Sequence, residues 1–219
     1  MERTTYVSEG TLRRRPAQRR SQERVERMLD ESARLLDEVG YEGLTTKEVA
    51  RRAGVPIGTF YQFFTDKQAL VRALALRNLE AFLDVMSDRL TTESLPDWTA
   101  AVDLGIDEFV RMKRSRPGFG VVDFGEVLAG PGGPALPGTQ RVLDEALENN
   151  VVVADRLRAL TVEMLGVPPD DGLARAFLVA VEAADAVLKL AFRAHPEGDP
   201  GLVAECKSLV RRYLSAYLS

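Results

Sequence analysis

The stretch from Thr45 to Lys67, TTKEVARRAGVPIGTFYQFFTDK, decides the fold of this chain. Thr45 and Glu48 have the spacing of a capping box, in which the two side chains bond each other's backbone amides at the start of a helix. Gly54 can end that helix in the left-handed conformation, and Pro56 suits the first turn of a second helix. Two short helices joined by a tight glycine turn form a helix-turn-helix, whose second helix enters the major groove of DNA.

Longer helices are predicted on both sides of this motif. Apolar residues at helical spacing predict an amphipathic helix from Ser21 to Val39, which Gly40 can close. This helix should brace the motif, because two short helices alone cannot bury their apolar faces. Thr65 and Gln68 have the spacing of a further capping box, which predicts a long helix after the motif, from about residue 66 to residue 90.

The run TTKEVARRAGVPIGTFYQFFTDKQAL resembles the DNA-binding domain of the TetR family of bacterial transcriptional regulators. The resemblance covers residues 21–70. It implies an all-α fold with an N-terminal three-helix helix-turn-helix DNA-binding domain at 21–67 and a C-terminal helical ligand-binding and dimerisation domain at 68–219. The matching positions are Ala50, Ala53, Gly54, Val55, Gly58, Thr59, Tyr61, Phe64 and Lys67.

The second motif helix is predicted to read the bases. Gln62 can bond the edge of adenine, and the hydroxyls of Thr59 and Tyr61 can bond phosphates or bases. The resemblance adds phosphate contacts at the start of the first motif helix and at the lysine after the second. Gly58 stands where many relatives have serine or alanine, and Phe63 where many have histidine or tyrosine, so Phe63 either packs or bonds. The predicted DNA-binding residues are Thr46, Lys47, Pro56, Ile57, Gly58, Thr59, Tyr61, Gln62, Phe63 and Lys67.

The charges of the chain are unevenly distributed. The formal net charge is −4, yet residues 1–67 hold 13 basic and 11 acidic side chains, and residues 68–219 hold 16 and 22. A cationic end on an acidic body suits docking on phosphates at one end only. Residues 1–20 are predicted to be a flexible basic arm. A solubilising tail and an arm that contacts DNA are both compatible with its sequence.

The rest of the chain is predicted to be helices separated by turns. Ser94 and Pro96 are expected to begin one helix, and Asp199 is expected to cap the last, with Pro200 at its first position. The Pro- and Gly-rich segment 131–138 forbids regular structure. The other predicted helices are 121–128, 139–165 and a helix capped by Asp170 or Asp171 that ends near Ala194, while the last is expected to end near Leu218.

The resemblance also implies a small-molecule effector held in the C-terminal domain. Few cationic residues occur in the stretches that supply its apolar side chains, which favours an apolar effector with few polar anchors. Arg111, Lys113 and Arg114 leave an anionic effector open. The predicted lining residues are Phe82, Trp98, Phe109, Met112, Phe119, Phe124, Met164 and Phe177.

The last two predicted helices suit a homodimer interface. Both are apolar over more than a narrow stripe, and the first is rich in alanine, which lets helices approach closely. Two such helices from each subunit could form a four-helix interface with two-fold symmetry, as the resemblance implies. Ordinary burial within one subunit is the alternative. The predicted dimerisation residues are Ala180, Ala184, Leu188, Leu209, Tyr213 and Tyr217.

Other classes of protein find little support in the sequence. No apolar run approaches the roughly 18 residues of a membrane span, and the N-terminus has no apolar core, so we expect a cytoplasmic protein. The single histidine, His195, and the single cysteine, Cys206, offer no metal-ligand set or catalytic pair, and no cofactor is predicted. The resemblance therefore implies a ligand-responsive repressor that binds palindromic operator DNA as a homodimer. A DNA-binding activator or architectural protein without an effector, and an enzyme on a helical body, are the alternatives.

Overall fold

A computed structural model describes residues 19–93, 95–123, 149–166 and 170–218, without the side chains of Asn149, Met164 and Leu165. These residues form eight α-helices. In chain order the helices are α1 (Arg19–Gly43), α2 (Thr46–Arg52), α3 (Ile57–Phe63), α4 (Lys67–Thr92), α5 (Trp98–Ser115), α6 (Asn149–Leu165), α7 (Asp171–Ala194) and α8 (Pro200–Leu214).

The chain divides into two compact units. The N-terminal unit comprises Met1–Leu79 and Arg116–Leu143, and the C-terminal unit comprises Glu80–Ser115 and Asp144–Ser219. The division falls inside α4, whereas the domain boundary expected from the sequence lies at the beginning of this helix. α4 is continuous across the division and contains neither glycine nor proline.

Helix α1 supplies one wall of the N-terminal core. Met28 and Leu36 are fully buried there, together with Ser32, whose hydroxyl donates to the carbonyl of Leu29 at 2.8 Å. The helix is longer than predicted, since it runs from Arg19, inside the predicted arm, to Gly43. Gly40 has φ +66°, so the helix is interrupted at the predicted closing residue and resumes for one further turn.

The predicted capping box at the start of α4 is wrong. The carboxylate of Asp66, one residue later than Thr65, accepts the backbone N–H of Ala69 at 2.7 Å. The Thr65 hydroxyl instead donates to Asp66 at 3.1 Å. An ionised carboxylate is the stronger acceptor at a helix N-terminus, where the backbone amides carry a partial positive charge.

The residues after α5 pack against α1 within the N-terminal unit. The backbone N–H of Gly118 donates to the carboxylate of Asp37 at 2.9 Å, and a Cβ at Gly118 would lie 2.8 Å from the Cα of Ala33. The predicted helix at 121–128 is not formed in its described part, where residues 121–123 lie in a turn. The remainder of that segment lies outside the described residues, as do residues 131–138.

The C-terminal unit contains α5 to α8 and the second part of α4. Asp170 and Asp199 cap α7 and α8 as predicted, with their carboxylates accepting from Leu173 and Leu202 at 2.6 and 2.9 Å. Asp97 caps α5, which therefore begins later than the predicted start at Ser94 and Pro96. α8 ends at Leu214 rather than near Leu218. The first ten residues of the predicted helix 139–165 lie outside the described residues.

Ion pairs fix the direction of α8 against α5. Arg211 donates to Asp103 at 2.9 Å, and Lys207 lies 2.6 Å from Asp107. The earlier residue of one helix therefore meets the later residue of the other, so the two helices are antiparallel. α7 packs against both α6 and α8. None of the helices in the described ranges is long and apolar enough to cross a membrane.

The close approach at Gly118 predicts a stability difference between two neighbouring glycines. Gly118 has φ +74° and its Cβ position is occupied by the backbone of Ala33, so Gly118→Ala should cost at least about 1–2 kcal/mol of unfolding free energy. Gly120→Ala is the control, because its Cβ would meet no atom within 4 Å. Urea unfolding of both variants measures the difference. Equal midpoints would mean that the turn at Gly118 relaxes without cost.

Candidate nucleic-acid interface

The turn chemistry of the helix-turn-helix follows the sequence closely. The Thr45 hydroxyl accepts the backbone N–H of Glu48 at 3.2 Å and starts α2. Gly54 has φ +65°, a conformation that residues with a Cβ adopt at a cost, and Val55 donates back to the carbonyl of Ala50 at 3.0 Å. The chain therefore reverses between α2 and α3 within a few residues.

The predicted return bond from Glu48 to the amide of Thr45 is not formed, because Glu48 bonds two arginines. Arg51 donates to its carboxylate at 2.6 and 2.8 Å, and Arg52 donates at 3.0 Å. These bonds, from Arg51 and then Arg52, lower the pKa of Glu48 to about 2. Arg52 also makes two bonds of 2.7 Å to Glu38 on α1. The guanidinium of Arg52 thus bridges α1 and α2.

Helix α3 has one buried and one exposed face. Phe60 and Phe63 are 0 % and 4 % exposed and pack in the core of the N-terminal unit, where the ring of Phe60 lies 5.4 Å from that of Phe64. Phe63 therefore cannot contact DNA and is removed from the predicted set, because its helical position points inward. The remaining positions are Pro56, Ile57, Gly58, Tyr61 and Gln62, which are exposed, and Thr59, which is half-buried.

A hydrogen bond links the beginning of α2 to the exposed face of α3. The hydroxyl oxygens of Thr46 and Tyr61 lie 3.2 Å apart. Two residues predicted to bind DNA from different helices are therefore held next to each other. Lys47, beside Thr46, is exposed. The helix predicted to read the bases therefore lies beside Thr46 and Lys47, whose hydroxyl and ammonium groups suit a phosphate.

Lys67 has contacts that the sequence did not reveal. Its Nζ donates to the backbone carbonyl of Tyr41 at 3.0 Å and lies 4.2 Å from the centre of the Tyr41 ring. A cation over an aromatic face is attracted by the ring's quadrupole, whose face is negative. The lysine ammonium has three donors, so one bond to the carbonyl leaves others for a phosphate. The residue ties α4 to the end of α1 at the edge of the motif.

Gly58 is not required by the fold of α3. It has no positive φ, and a Cβ built on it would meet no atom within 4 Å. A glycine inside a helix costs roughly 0.5–1 kcal/mol relative to alanine. Gly58 lies between Ile57 and the exposed pair Tyr61 and Gln62. The loss of helix stability therefore occurs in the middle of the candidate DNA-binding face. A glycine there allows the backbone of α3 to approach another molecule closely.

The predicted effector-binding residues are distributed over both units. Phe82, Phe109, Met112 and Phe177 are buried in the C-terminal unit. Trp98, also in that unit, is half-buried. Phe119 is fully buried but belongs to the N-terminal unit, with the turn that contacts α1. Phe124 lies outside the described residues, and the side chain of Met164 is not described.

The predicted dimerisation residues fall on two different faces. Ala180 and Leu188 are buried within the subunit, because that face of α7 packs against neighbouring helices, and Ala184 is half-buried. Ala180 and Leu188 are therefore removed from the proposed interface. On α8, Leu209 is exposed and Tyr213 is half-buried. Tyr217, three residues after the end of α8, is exposed, and its ring lies 5.6 Å from that of Tyr213.

The sequence reasoning missed an exposed apolar stripe on α7. Val179 and Leu190 are 43 % and 44 % exposed, and Ala183 and Ala186 lie between them. The spacing of four, three and four residues places all four on one helix face. The signal was present in the sequence, but α7 is apolar on more than one face, so periodicity alone could not separate the packed face from the exposed one.

Cys206 is a core residue. It is fully buried on α8, and its Sγ donates to the carbonyl of Ala184 at 3.8 Å. Burial raises the pKa of the thiol to about 11. The thiol is therefore protonated at neutral pH and is a poor nucleophile.

A three-helix unit with a short, outward-facing second motif helix defines a helix-turn-helix DNA-binding protein. Comparison with known proteins gives the family. The profile of tetR-family bacterial regulatory proteins matches residues 28–74, and the profile of the tetracyclin repressor-like C-terminal domain matches residues 96–218. The chain belongs to the TetR family, and the predicted family and all-α fold are confirmed. It is a transcriptional regulator with an N-terminal DNA-binding helix-turn-helix and not an enzyme.

Individual relatives resemble different parts of the chain. A TetR-family transcriptional regulator from Streptomyces coelicolor is 43% identical with a TM-score of 0.75, over 91% of this chain and 99% of that one. The class C tetracycline repressor of Escherichia coli is 42% identical over 29% of this chain and 27% of its own length. SmeT of Stenotrophomonas maltophilia, in complex with triclosan, is 19% identical with a TM-score of 0.59, over 90% of this chain and 92% of that one, which shows a shared fold. The chain spans less than half the length of the curated relatives it matches.

Gly58→Ala is expected to change stability and DNA affinity in opposite directions. The alanine should raise the unfolding free energy by roughly 0.5 kcal/mol, because its Cβ enters open space in a helix. It should weaken DNA binding about tenfold, the scale of one lost contact, because the Cβ keeps the helix backbone from the DNA. Thermal unfolding and fluorescence anisotropy with labelled operator measure the two effects.

Gly105→Ala is the matched control for that variant. Gly105 lies inside α5, and a Cβ there would lie 3.5 Å from the terminal methyl of Met86, an ordinary contact. The control should gain stability without a loss of DNA affinity. Wild-type affinity in both variants would mean that the backbone at Gly58 does not approach DNA.

Proposed function

We propose that this protein is a homodimeric repressor that binds a near-palindromic operator and is released by a small apolar molecule. The observation that carries the proposal is the exposed face of α3, with Tyr61 held at 3.2 Å from Thr46. This face and the membership of the TetR family together favour specific operator binding over general DNA binding.

The exposed face of α3 offers the groups that read bases. The side-chain amide of Gln62 can form two hydrogen bonds to adenine, at N6 and at N7, and this bidentate contact discriminates between bases. Ile57 and the ring of Tyr61 can contact thymine methyl groups. Thr59 is half-buried, and its hydroxyl can donate a hydrogen bond to a backbone phosphate. In this proposal α3 lies in the major groove of each half-site.

The groups around α3 would bind the phosphates. Thr46 and Lys47 stand at the start of α2, where the free backbone amides also favour an anion. Lys67 would bind from the start of α4 while its bond to Tyr41 holds the ammonium in position. Phosphate contacts fix the register of the protein on the duplex, whereas base contacts select the sequence.

The exposed stripe of α7 is the surface that would form the dimer, together with Leu209 and Tyr213 on α8 and Tyr217 just after it. The stripe consists of Val179, Ala183, Ala186 and Leu190. Exposed apolar residues in a contiguous patch mark interaction sites, and the two alanines would let helices of two subunits approach closely. A two-fold interface of this kind would place two α3 helices on two half-sites, and those would be about 34–36 Å apart or a multiple of that distance.

The effector would bind in the C-terminal unit. Phe82, Phe109, Met112 and Phe177 supply buried apolar and aromatic surface there, with Trp98 at its edge. The complex of SmeT with triclosan supports a small aromatic molecule as the class of effector. The effector can weaken DNA binding only if it binds a conformation with poor operator affinity more tightly than the operator-bound conformation. Repression and cytoplasmic location are part of this proposal.

Selection of bound fragments from random duplex DNA by the purified protein tests the proposed function. Recovery of one inverted repeat is expected, because a two-fold dimer reads the same half-site twice. That operator then serves to screen compounds for release. Recovery of no shared sequence at moderate salt would mean that backbone contacts dominate, as in an architectural protein, and would reject the repressor proposal.

Two substitutions should separate base reading from phosphate binding. Gln62→Ala should lose about 1–3 kcal/mol on the operator and relax the preference at one base pair. Lys47→Ala should weaken binding to all sequences alike and reduce the salt slope by about 1. Lys47 is preferred to Lys67 because Lys67 also holds Tyr41. Anisotropy titrations on operator variants at several salt concentrations measure both, and the reverse pattern would overturn the assignment.

Leu190→Glu is expected to prevent dimerisation. A charge at the C-terminal end of the exposed α7 stripe would be desolvated at the interface without a partner, which costs several kcal/mol. Val39→Glu is the matched control, because Val39 is 48 % exposed on α1, in the other unit. Sedimentation equilibrium should give a monomer for the first variant and a dimer for the second. Unchanged dimers in both would place the interface elsewhere.

A further inference from the structure

Three arginines on α1 have no partner among the described residues. Arg20, Arg24 and Arg27 are exposed, and no hydrogen bond or ion pair connects them to another described residue. Their spacing of four and three residues places them on one face of the helix. The three guanidinium groups therefore form one cationic surface, the arginine face.

The acidic residues of the same part of α1 are paired with other arginines. Between residues 19 and 34 there are four acidic side chains, and each is within ion-pair distance of an arginine outside the arginine face. The pairs are Arg19–Glu23, Arg34–Glu31, Arg77–Glu26 and Arg77–Asp30. The positive charge of the arginine face is thus not cancelled by its own helix.

The arginine face lies on the same side of α1 as Glu38, which contacts Arg52 of the helix-turn-helix. Glu38, which binds Arg52 of α2, follows Arg27 by 11 residues and Arg20 by 18, or about three and five helical turns. All three positions therefore share one side of the helix. At 1.5 Å per residue the face begins roughly 16 Å from Glu38 and extends to roughly 27 Å. The distance between the two ends of the arginine face corresponds to several phosphates along a DNA strand.

We propose that the arginine face binds the phosphate backbone of DNA flanking the half-site, outside the groove that α3 occupies. This inference rests on the proposed operator binding of α3. A guanidinium group can form a bidentate pair of hydrogen bonds with a phosphate, and it remains charged at any physiological pH. The contacts are independent of sequence, so they add affinity and salt dependence without changing base preference.

The salt dependence of binding tests the proposal. The triple variant Arg20→Gln/Arg24→Gln/Arg27→Gln keeps residues of similar helix propensity and removes three charges. If each arginine neutralises one phosphate, the slope of log K against log salt should fall in magnitude by about 2.7 for each bound subunit. The reduction should occur on long duplexes with the operator and on unrelated duplexes. It should vanish on a duplex cut back to the half-sites.

The control variant removes the same net charge elsewhere. Arg156→Gln/Arg193→Gln/Arg212→Gln changes three exposed arginines of the C-terminal unit and should leave the slope unchanged. Equal slopes for the wild type and the α1 triple variant, with operator preference intact, would overturn the arginine face and leave the proposed function standing. Equal loss in both triple variants would also overturn it, because net charge would then explain the effect. If the wild type itself shows no preference for the operator, the proposed function is rejected instead. The salt slope on unrelated duplexes would then still test whether the arginine face binds phosphate.

Discussion

The burial of Phe60 and Phe63 on the inner side of α3 is the constraint on which the DNA-binding surface depends. A helix of seven residues is not stable alone in water, so α3 exists only because its inner face is covered by the core of the N-terminal unit. Burial of that face determines which residues remain outside. Gly58, Tyr61 and Gln62 are exposed because the helical period places them away from the two phenylalanines, and Ile57 is exposed at the first position of the helix.

Charged groups connect the helices of this small unit in addition to its apolar core. The guanidinium of Arg52 bonds Glu38 and Glu48 together, and the ammonium of Lys67 bonds the carbonyl of Tyr41. Exposed ion pairs contribute little to stability, typically about 0–1 kcal/mol each. Their effect here is on geometry, since a bidentate arginine fixes the angle between α1 and α2. The same chemistry leaves other cations, such as Lys47, free to bind an external anion.

The sequence predicted best where one residue's backbone chemistry decides the outcome. Gly54 and the cap residues Asp170 and Asp199 were assigned correctly because a tight turn or a free amide accepts few residue types. The cap at Thr65 was wrong because Asp66, the next residue, competes for the same amides with a charged group. The predicted dimerisation face of α7 was wrong at Ala180 and Leu188 for another reason. An alanine-rich helix has no single apolar side, so only its neighbours decide which side is buried.

The beginning of α4 belongs to the N-terminal unit, although the helix extends beyond that unit. A helix bends sharply at proline, at glycine or serine pairs, or where its hydrogen-bond ladder is interrupted. α4 contains neither glycine nor proline between Lys67 and Thr92, and the division falls at Leu79 and Glu80 in its middle. The sequence of α4 therefore provides neither of these residues as a bending point. The helix begins at Lys67, whose bond to the carbonyl of Tyr41 attaches its first turn to the end of α1, so the beginning of α4 is fixed within the N-terminal unit.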